Sequence, residues 1–244
     1  METKTRAVVL RMVKYGESKL VVDMFTEEHG RVAFMVSASN SHKGRNKRRL
    51  FQPLSLLYIR YDHRLKPGLQ TLREASLAYP LSDLPTHPHK LPIAFFLSEF
   101  LCHATRDEQQ NLPLFHFIAE SVTWLDGARE GFANFHVVFM TRLTAFLGFM
   151  PNTEDYRPGY VFDLREGAFR GHVPLHPEFL PADESAFLSV LLRLRYENMA
   201  RLALSRQQRN RCTETLLTYY KLHVPDFPDL KSFSVLREIT SGLG

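Results

Sequence analysis

Five cations, Lys43, Arg45, Lys47, Arg48 and Arg49, fall together in a stretch that holds no acid, and Arg60, Arg64 and Lys66 follow closely. Cations at this density neutralise phosphates and displace the counterions around a polyanion. Aromatic residues interleave with them at Phe34, Phe51, Tyr58 and Tyr61. Rings beside cations are what an unstacked nucleic-acid strand requires, since charge meets its phosphates and π-faces meet its bases. The competing reading is a polar loop that stays solvated. A second cationic stretch, Arg193 to Arg211, holds six Arg against the single Glu197. These cannot share one helix face, so they read as solvated helix surface or as contacts for a second strand or an acidic partner. Arg142 follows Phe135 by about two helical turns, inside an apolar stripe, where a guanidinium must snorkel, pair with a carboxylate or receive one from a partner.

Catalytic chemistry has weaker support. His87, His89 and His103 are the nearest thing to a metal-ligand group, yet no HExxH or DxD pattern accompanies them. No GxxxxGK[ST], GxGxxG or GxSxG occurs, so a phosphate cradle and a nucleophile elbow are both missing. Adjacent acids such as Glu27-Glu28 and Asp183-Glu184 diverge in regular structure and do not make acid/base pairs. Cys102 and Cys212 stand far apart and write neither a disulfide framework nor a CxxC site, which suits a reducing compartment.

The elements that must position these residues change in kind along the chain. Ala7 to Val13, Leu20 to Phe25, Val32 to Val36, Leu54 to Tyr61 and Leu69 to Ala78 read as strands, rich in β-branched and aromatic residues. Turn signals separate them at Tyr15-Gly16-Glu17-Ser18, Glu27-Glu28-His29-Gly30, the polar run Ser37 to Arg49, and Lys66-Pro67-Gly68. Five short strands predict a small barrel. Pro80, Pro85, Pro88 and Pro92 exclude a helix or central strand from the next stretch and place a domain boundary there. Beyond it, Ile93 to Leu101, Leu114 to Leu125 and Phe135 to Leu147 repeat apolar residues at helical spacing, the last ending at Gly148 before Pro151. Asp183 to Val224 predicts two more helices, the first capped by Asp183 or Ser185. Tyr156 to Pro181 alternates and predicts a hairpin, near residues 156–175, with Gly167 in its turn.

The 244 residues, 44% hydrophobic and 23% charged, suit one or two globular domains. Residues 1–80 hold 15 Lys and Arg against 7 Asp and Glu, whereas residues 81–244 hold 16 against 19. A basic half followed by a mildly acidic one predicts a polyanion-binding module attached to something else. Lys4, Arg6, Arg11 and Lys14 break any signal-peptide core, and uncharged runs such as Gly131 to Thr141 are too short to span a membrane. The expectation is a cytoplasmic protein without membrane contact. The expected fold class is α+β, a five-stranded barrel over residues 1–80 and a mainly helical domain with a hairpin insertion over 81–244.

Several short motifs, in order, carry a resemblance. Val8-Val9-Leu10 leads through Tyr15-Gly16-Glu17-Ser18 to Phe25-Thr26-Glu27-Glu28-His29-Gly30, and Phe51-Gln52-Pro53-Leu54 follows. Phe139, Arg142, Leu143, Leu147-Gly148-Phe149 and Pro151 come next, then Leu216-Leu217, Tyr219-Tyr220, His223, Leu230-Lys231-Ser232 and Leu236-Arg237-Glu238. Over nearly its full length the chain resembles the RecO family of bacterial recombination mediators. The resemblance implies an N-terminal OB barrel and a C-terminal helical domain, with no enzymatic activity. It also implies binding of single- and double-stranded DNA at the nucleoid, annealing of complementary strands, and cooperation with RecR. Loading of RecA onto strands coated by single-stranded DNA-binding protein would follow, with that protein's acidic tail as docking ligand.

Two departures from the family pattern stand out. Many members carry zinc-ligand cysteines after the Leu-Gly-Tyr-x-Pro segment, and Asn152 to Gly171 holds none. No metal or other cofactor is expected, and packing from Tyr160, Phe162 and Phe169 must hold the hairpin. Where a Gly-Ala-Arg run is usual, Val36-Ser37-Ala38-Ser39 stands. The expected phosphate contacts are Lys43, Arg45, Lys47, Arg48, Arg49, Arg64 and Lys66. The tail of the coating protein needs an apolar pocket beside a cation, for which Arg142 with Leu143, or Arg206, Arg209 and Arg211, are the candidates. A metal-dependent nuclease built on His87, His89 and His103, and an OB protein acting on RNA, are the alternatives.

Overall fold

The computed structural model describes residues 2–38, 42–64 and 68–239, with the main chain alone at Lys43, Arg45 and Ile239. Five strands, β1 (Glu2–Tyr15), β2 (Lys19–Thr26), β3 (Gly30–Ser37), β4 (Leu56–Asp62) and β5 (Gln70–Tyr79), close a barrel in the order β1-β2-β3-β5-β4. All neighbours pair antiparallel except β3 with β5. Alternate residues point inward, so Val22, Met24, Phe34, Val36, Leu57, Ile59 and Tyr61 fill the interior. Gly30 opens β3 with φ +61°, and a Cβ there would lie 2.1 Å from the Gln109 carbonyl oxygen, so neither conformation nor space admits a side chain.

Between β3 and β4 the predicted polar loop contains a helix, α1 (His42–Arg49). Periodicity could not show it, because its sequence HKGRNKRR has no apolar face. Its anchors lie outside it: Ala38 and Phe51 bracket α1 and both belong to the barrel core. Lys47, Arg48 and Arg49 in the last turn suit the negative end of the helix dipole.

Helices α2 (Lys90–Ala104) and α3 (Leu112–Gly127) follow the barrel. Pro92 falls within the first turn of α2, contrary to the expectation that prolines exclude helix there, because the first turn needs no donor N–H. Asp126 of α3 accepts from the main-chain N–H groups of Ser82, Asp83 and Leu84, which fastens the proline-rich connection. A last helix, α7 (Lys231–Ile239), is joined to α2: both carboxylate oxygens of Glu99 accept from its first N–H groups, at Lys231 and Ser232. Burial pushes the Glu99 carboxyl up, but the Ser232 hydroxyl, which also donates to it, together with these two N–H groups outweighs burial and leaves its pKa below the ordinary value. The chain divides into two compact units, Met1–Gly127 with Leu230–Ile239, and Ala128–Asp229.

The second unit holds α4 (Phe135–Phe146), a three-stranded sheet of β6 (Val161–Asp163), β7 (Ala168–Arg170) and β8 (Phe179–Leu180), then α5 (Ala182–Leu191) and α6 (Arg206–His223). Helix α4 is buried nearly all round and forms its centre. The hairpin β6–β7 turns at Gly167. Pro181, rather than Asp183 or Ser185, occupies the N-cap of α5, and the Ser185 hydroxyl donates to the Leu180 carbonyl instead. Ser205 and Gln208 cap α6 reciprocally, a capping box that stabilises the start of a charged helix.

Candidate nucleic-acid interface

The expected stacking rings are mostly core. Phe34, Phe51 and Tyr61 are fully buried in the barrel, because they fall on the inward register of their strands or anchor the end of α1. The Tyr61 hydroxyl lies 2.8 Å from His29 Nδ1, and burial pushes its pKa up to about 12. Tyr58 alone of the four is exposed, at 55%. It stands in an open groove of about 760 Å³ on the β1–β4–β5 side, among Lys4, Arg6 and Arg60. Two of those cations are already neutralised. Arg6 is forked on Glu27 at 2.6 and 2.8 Å, and Arg60 pairs with Glu74 and, at 2.9 Å, with Glu2.

The basic segment has a graded geometry. Arg49 is exposed and Lys47 half-buried, both in the last turn of α1. Arg48 donates to the Ala38 carbonyl at 2.9 Å, which ties α1 to the end of β3. Arg64 is exposed on the β4–β5 loop, and its main chain is held from both sides by the buried amide of Gln70. The side chains of Lys43 and Arg45, and all of Lys66, lie outside the described residues.

Strand pairing reveals a face that sequence reasoning missed. Tyr15 pairs with Lys19 and Lys19 with Ser37; Val13 pairs with Val21 and Val21 with Met35; Arg11 pairs with Asp23 and Asp23 with Ala33. Paired residues share a side of the sheet, so these three rows form the outer surface of β1–β2–β3. Tyr15 is 60% exposed at one corner. The Ala38 N–H donates to the Ser18 carbonyl at 2.8 Å, so α1 and the β1–β2 turn sit at the same end of the barrel. The opposite end of the face is covered, with Arg31 donating to the Cys102 carbonyl at 3.1 Å and pairing with Asp23 at 3.3 Å. The available signal was Lys14-Tyr15-Gly16 followed by Lys19, a ring and cations flanking a turn that joins the first two strands of a barrel.

The second unit scatters the residues considered for a partner's tail. Arg142 is half-buried, 5.6 Å over the Tyr196 ring, which stacks in turn on Phe135. Leu143 is fully buried. Arg206 and Arg211 are exposed, and Arg211 is forked on Glu184 of α5. Arg209 is buried and donates to Asn134 Oδ1 and the Leu204 carbonyl, both at 3.0 Å, while burial depresses its pKa. The structure therefore does not gather Arg206, Arg209 and Arg211 into one site.

His87 and His89 precede α2, whereas His103 lies in its last turn, about 20 Å along the axis. Among the described residues no three His, Cys, Asp or Glu side chains come together as metal ligands. In the β6–β7 hairpin, Phe162 and Phe169 belong to a core with Leu164, Leu180 and Tyr219, and Tyr156 and Tyr160 pack against it. Asp163 closes the turn by accepting from the N–H groups of Arg165 and Glu166. His223 Nε2 lies 2.9 Å from the Leu164 carbonyl, and its ring stacks on Phe149.

A closed barrel in this strand order, with a helix between its third and fourth strands and exposed cations at one end, is an OB-type barrel, a class that binds oligonucleotides. Residues 1–81 match the family model described as Recombination protein O N terminal, and residues 85–232 match that described as Recombination protein O C terminal. The chain belongs to the RecO family, with a role in DNA repair and recombination; this is not a family of enzymes. It is 44% identical over 241 residues to the DNA repair protein RecO of Phocaeicola vulgatus, covering 99% of this chain and 100% of that one. It is 42% identical over 240 residues to that of Bacteroides fragilis, covering 98% and 99%, and 33% identical over 243 residues to that of Flavobacterium johnsoniae, covering 99% and 100%. Among the described residues no helix is long and apolar enough to cross a membrane.

Proposed function

We propose that this protein binds single- and double-stranded DNA through its barrel, residues 1–80, and anneals complementary strands. With RecR it helps load RecA onto strands coated by single-stranded DNA-binding protein, working in the cytoplasm at the nucleoid. The observation that carries this reading is the open end of the barrel. Lys19 there has no ion-pair partner among the described residues, and Arg49 is exposed. Around them stands one exposed ring, Tyr15, rather than a row of rings. Cations without a clamp of rings hold phosphates and leave base edges free, which annealing requires.

The phosphate contacts in this reading are Lys43, Arg45, Lys47, Arg49, Arg64 and Lys66, joined by Lys19. Arg48 contributes charge while its guanidinium holds α1 to Ala38. The helical domain, residues 81–244, carries the protein partners. Arg142, half-buried over the Tyr196 ring, is the cation that a tail ending in an aromatic residue next to carboxylates would use.

Fluorescence anisotropy with a labelled single strand at several salt concentrations, together with a quenching assay for annealing, tests the reading. Binding that falls steeply with salt, and annealing without metal or nucleotide, are expected. No binding at low salt would refute it, and tighter binding of RNA in competition would move the activity to another nucleic acid. For the tail, Arg142→Glu should abolish binding of an acidic peptide with a terminal Phe; unaltered binding would remove Arg142.

A further inference from the structure

Beyond Leu10 the first strand stops behaving like a barrel strand. Arg11, Met12, Val13, Lys14 and Tyr15 are all exposed, where a strand with one face on a core would alternate. Pairing assigns each to a side. Met12 pairs with Val22 and Lys14 with Leu20, and both partners enter the barrel core, so Met12 and Lys14 lie on the core side of the hairpin. Tyr15 and Lys19 lie on the outer side, as do Val13 and Arg11. Each side of this two-stranded ribbon therefore carries one long apolar or aromatic residue and one lysine: Tyr15 with Lys19 outside, Met12, 42% exposed, with Lys14 inside. Neither lysine has an ion-pair partner among the described residues.

The ribbon is held in a fixed direction. The register shifts between Val9 and Arg11, and the carbonyl of the intervening Leu10 accepts from the Ser98 hydroxyl of α2. Such a bulge bends a strand and re-aims the residues beyond it. At the turn, the Ala38 N–H holds the Ser18 carbonyl. On the core side, Ala38 and Phe51 share the barrel core with Leu20, which lays α1 across the end that Met12 and Lys14 overlook. The exposed Arg49 and half-buried Lys47 of α1 extend the charge on that side.

We propose that the β1–β2 hairpin is a pin that sits at a DNA fork, with one strand on its outer side and the other between its core side and α1. The proposal rests on the DNA-binding reading above and deepens it by naming the branch point as the preferred substrate. An exposed ribbon that carries Tyr15 and Met12 on its two sides, just below the Gly16-Glu17-Ser18 turn, suits a wedge against stacked bases, whereas a single unstacked base is gripped in a concave groove. Cations on both sides fit two phosphate backbones that part at the tip. Annealing then proceeds as the fork closes ahead of the pin.

The test compares the full chain on three labelled DNAs: a forked duplex with two non-complementary arms, a flush duplex, and one arm alone. 2-Aminopurine at the last base pair of the fork reports unstacking. The wild-type protein should bind the fork about tenfold more tightly than either simpler DNA, with a change in 2-aminopurine fluorescence. The double substitution Met12→Ser, Lys14→Ala touches only the core side, and should bring fork affinity down to that of the single arm while leaving binding of the arm unchanged. No fork preference, or a preference that survives the double substitution, overturns the pin while the DNA-binding reading stands. Failure of the wild-type protein to bind even the single arm overturns both.

Discussion

Free and paired cations on the barrel should behave differently toward salt. Lys19 has no ion-pair partner among the described residues and Arg49 is exposed at the end of α1, whereas Arg60 is held by Glu2 and Glu74. Each phosphate neutralised on a single strand contributes about 0.7 to the slope of log K against log salt. Replacing Lys19 and Arg49 by Ala should lower that slope by about 1.4, which between 50 and 200 mM salt removes roughly a sevenfold dependence. Arg60→Ala should leave the slope unchanged, because its charge is already offset within the protein and no counterion release on DNA depends on it. Anisotropy titrations at four or five salt concentrations measure both. An equal loss of slope in Arg60→Ala, or none in the Lys19 and Arg49 variant, would refute the assignment of the open end as the phosphate surface.

Other outcomes are set by the packing. The Glu27 carboxyl is held down to about 2, chiefly by the hydrogen bonds from Arg6 with help from His116. Its contribution is therefore full above the ordinary carboxylate range and is lost as pH falls toward about 2. With Arg6 41% exposed, solvent screening leaves about 1 kcal/mol, so Glu27→Gln should lower unfolding free energy by that amount at pH 7 and by little at pH 2.5, measured in urea. Arg209→Ala removes the donor to Asn134 and Leu204 inside the second unit and should cost about 3 kcal/mol by thermal melting, with single-strand binding by the barrel retained below the melt. Gly167→Ala places a Cβ 2.6 Å from the Tyr219 hydroxyl at φ +63° and should cost about 2 kcal/mol. A strong chelator should leave the melting temperature unchanged, since the hairpin is held by Phe162, Phe169 and Tyr219; a drop of several degrees would reveal a metal.

Much of the architecture was legible in the sequence. The five strands, the three apolar helices after them and the hairpin at Gly167 all announce themselves through alternation, helical spacing and turn residues, which are properties of neighbours in the chain. Helix α1 was not legible, because it has no apolar face and depends on Ala38 and Phe51 entering the barrel on either side of it. Nor was the cap of α5, where Pro181 occupies the position that Asp183 or Ser185 was expected to take. In the candidate interface the basic segment stands out in the sequence by its charge alone, while Tyr15 is legible only as part of a turn signal and Lys19 carries no local signal of its own.

The amino-acid order by itself determined the class of each element, the separation of charge between the two halves and the membership of the family, since these depend on composition and on short-range pattern. Only the tertiary structure decided which cations remain available and which rings face water. Arg60 looked as free as Arg64 until strand pairing brought Glu74 and Glu2 to it, and Phe34, Phe51 and Tyr61 looked like stacking platforms until closure of the barrel placed them inside. Arg209 looked like surface charge until Asn134 and Leu204 enclosed it. Ion pairing and burial are set through space, by partners that register and closure bring from distant parts of the chain, and no local pattern encodes them.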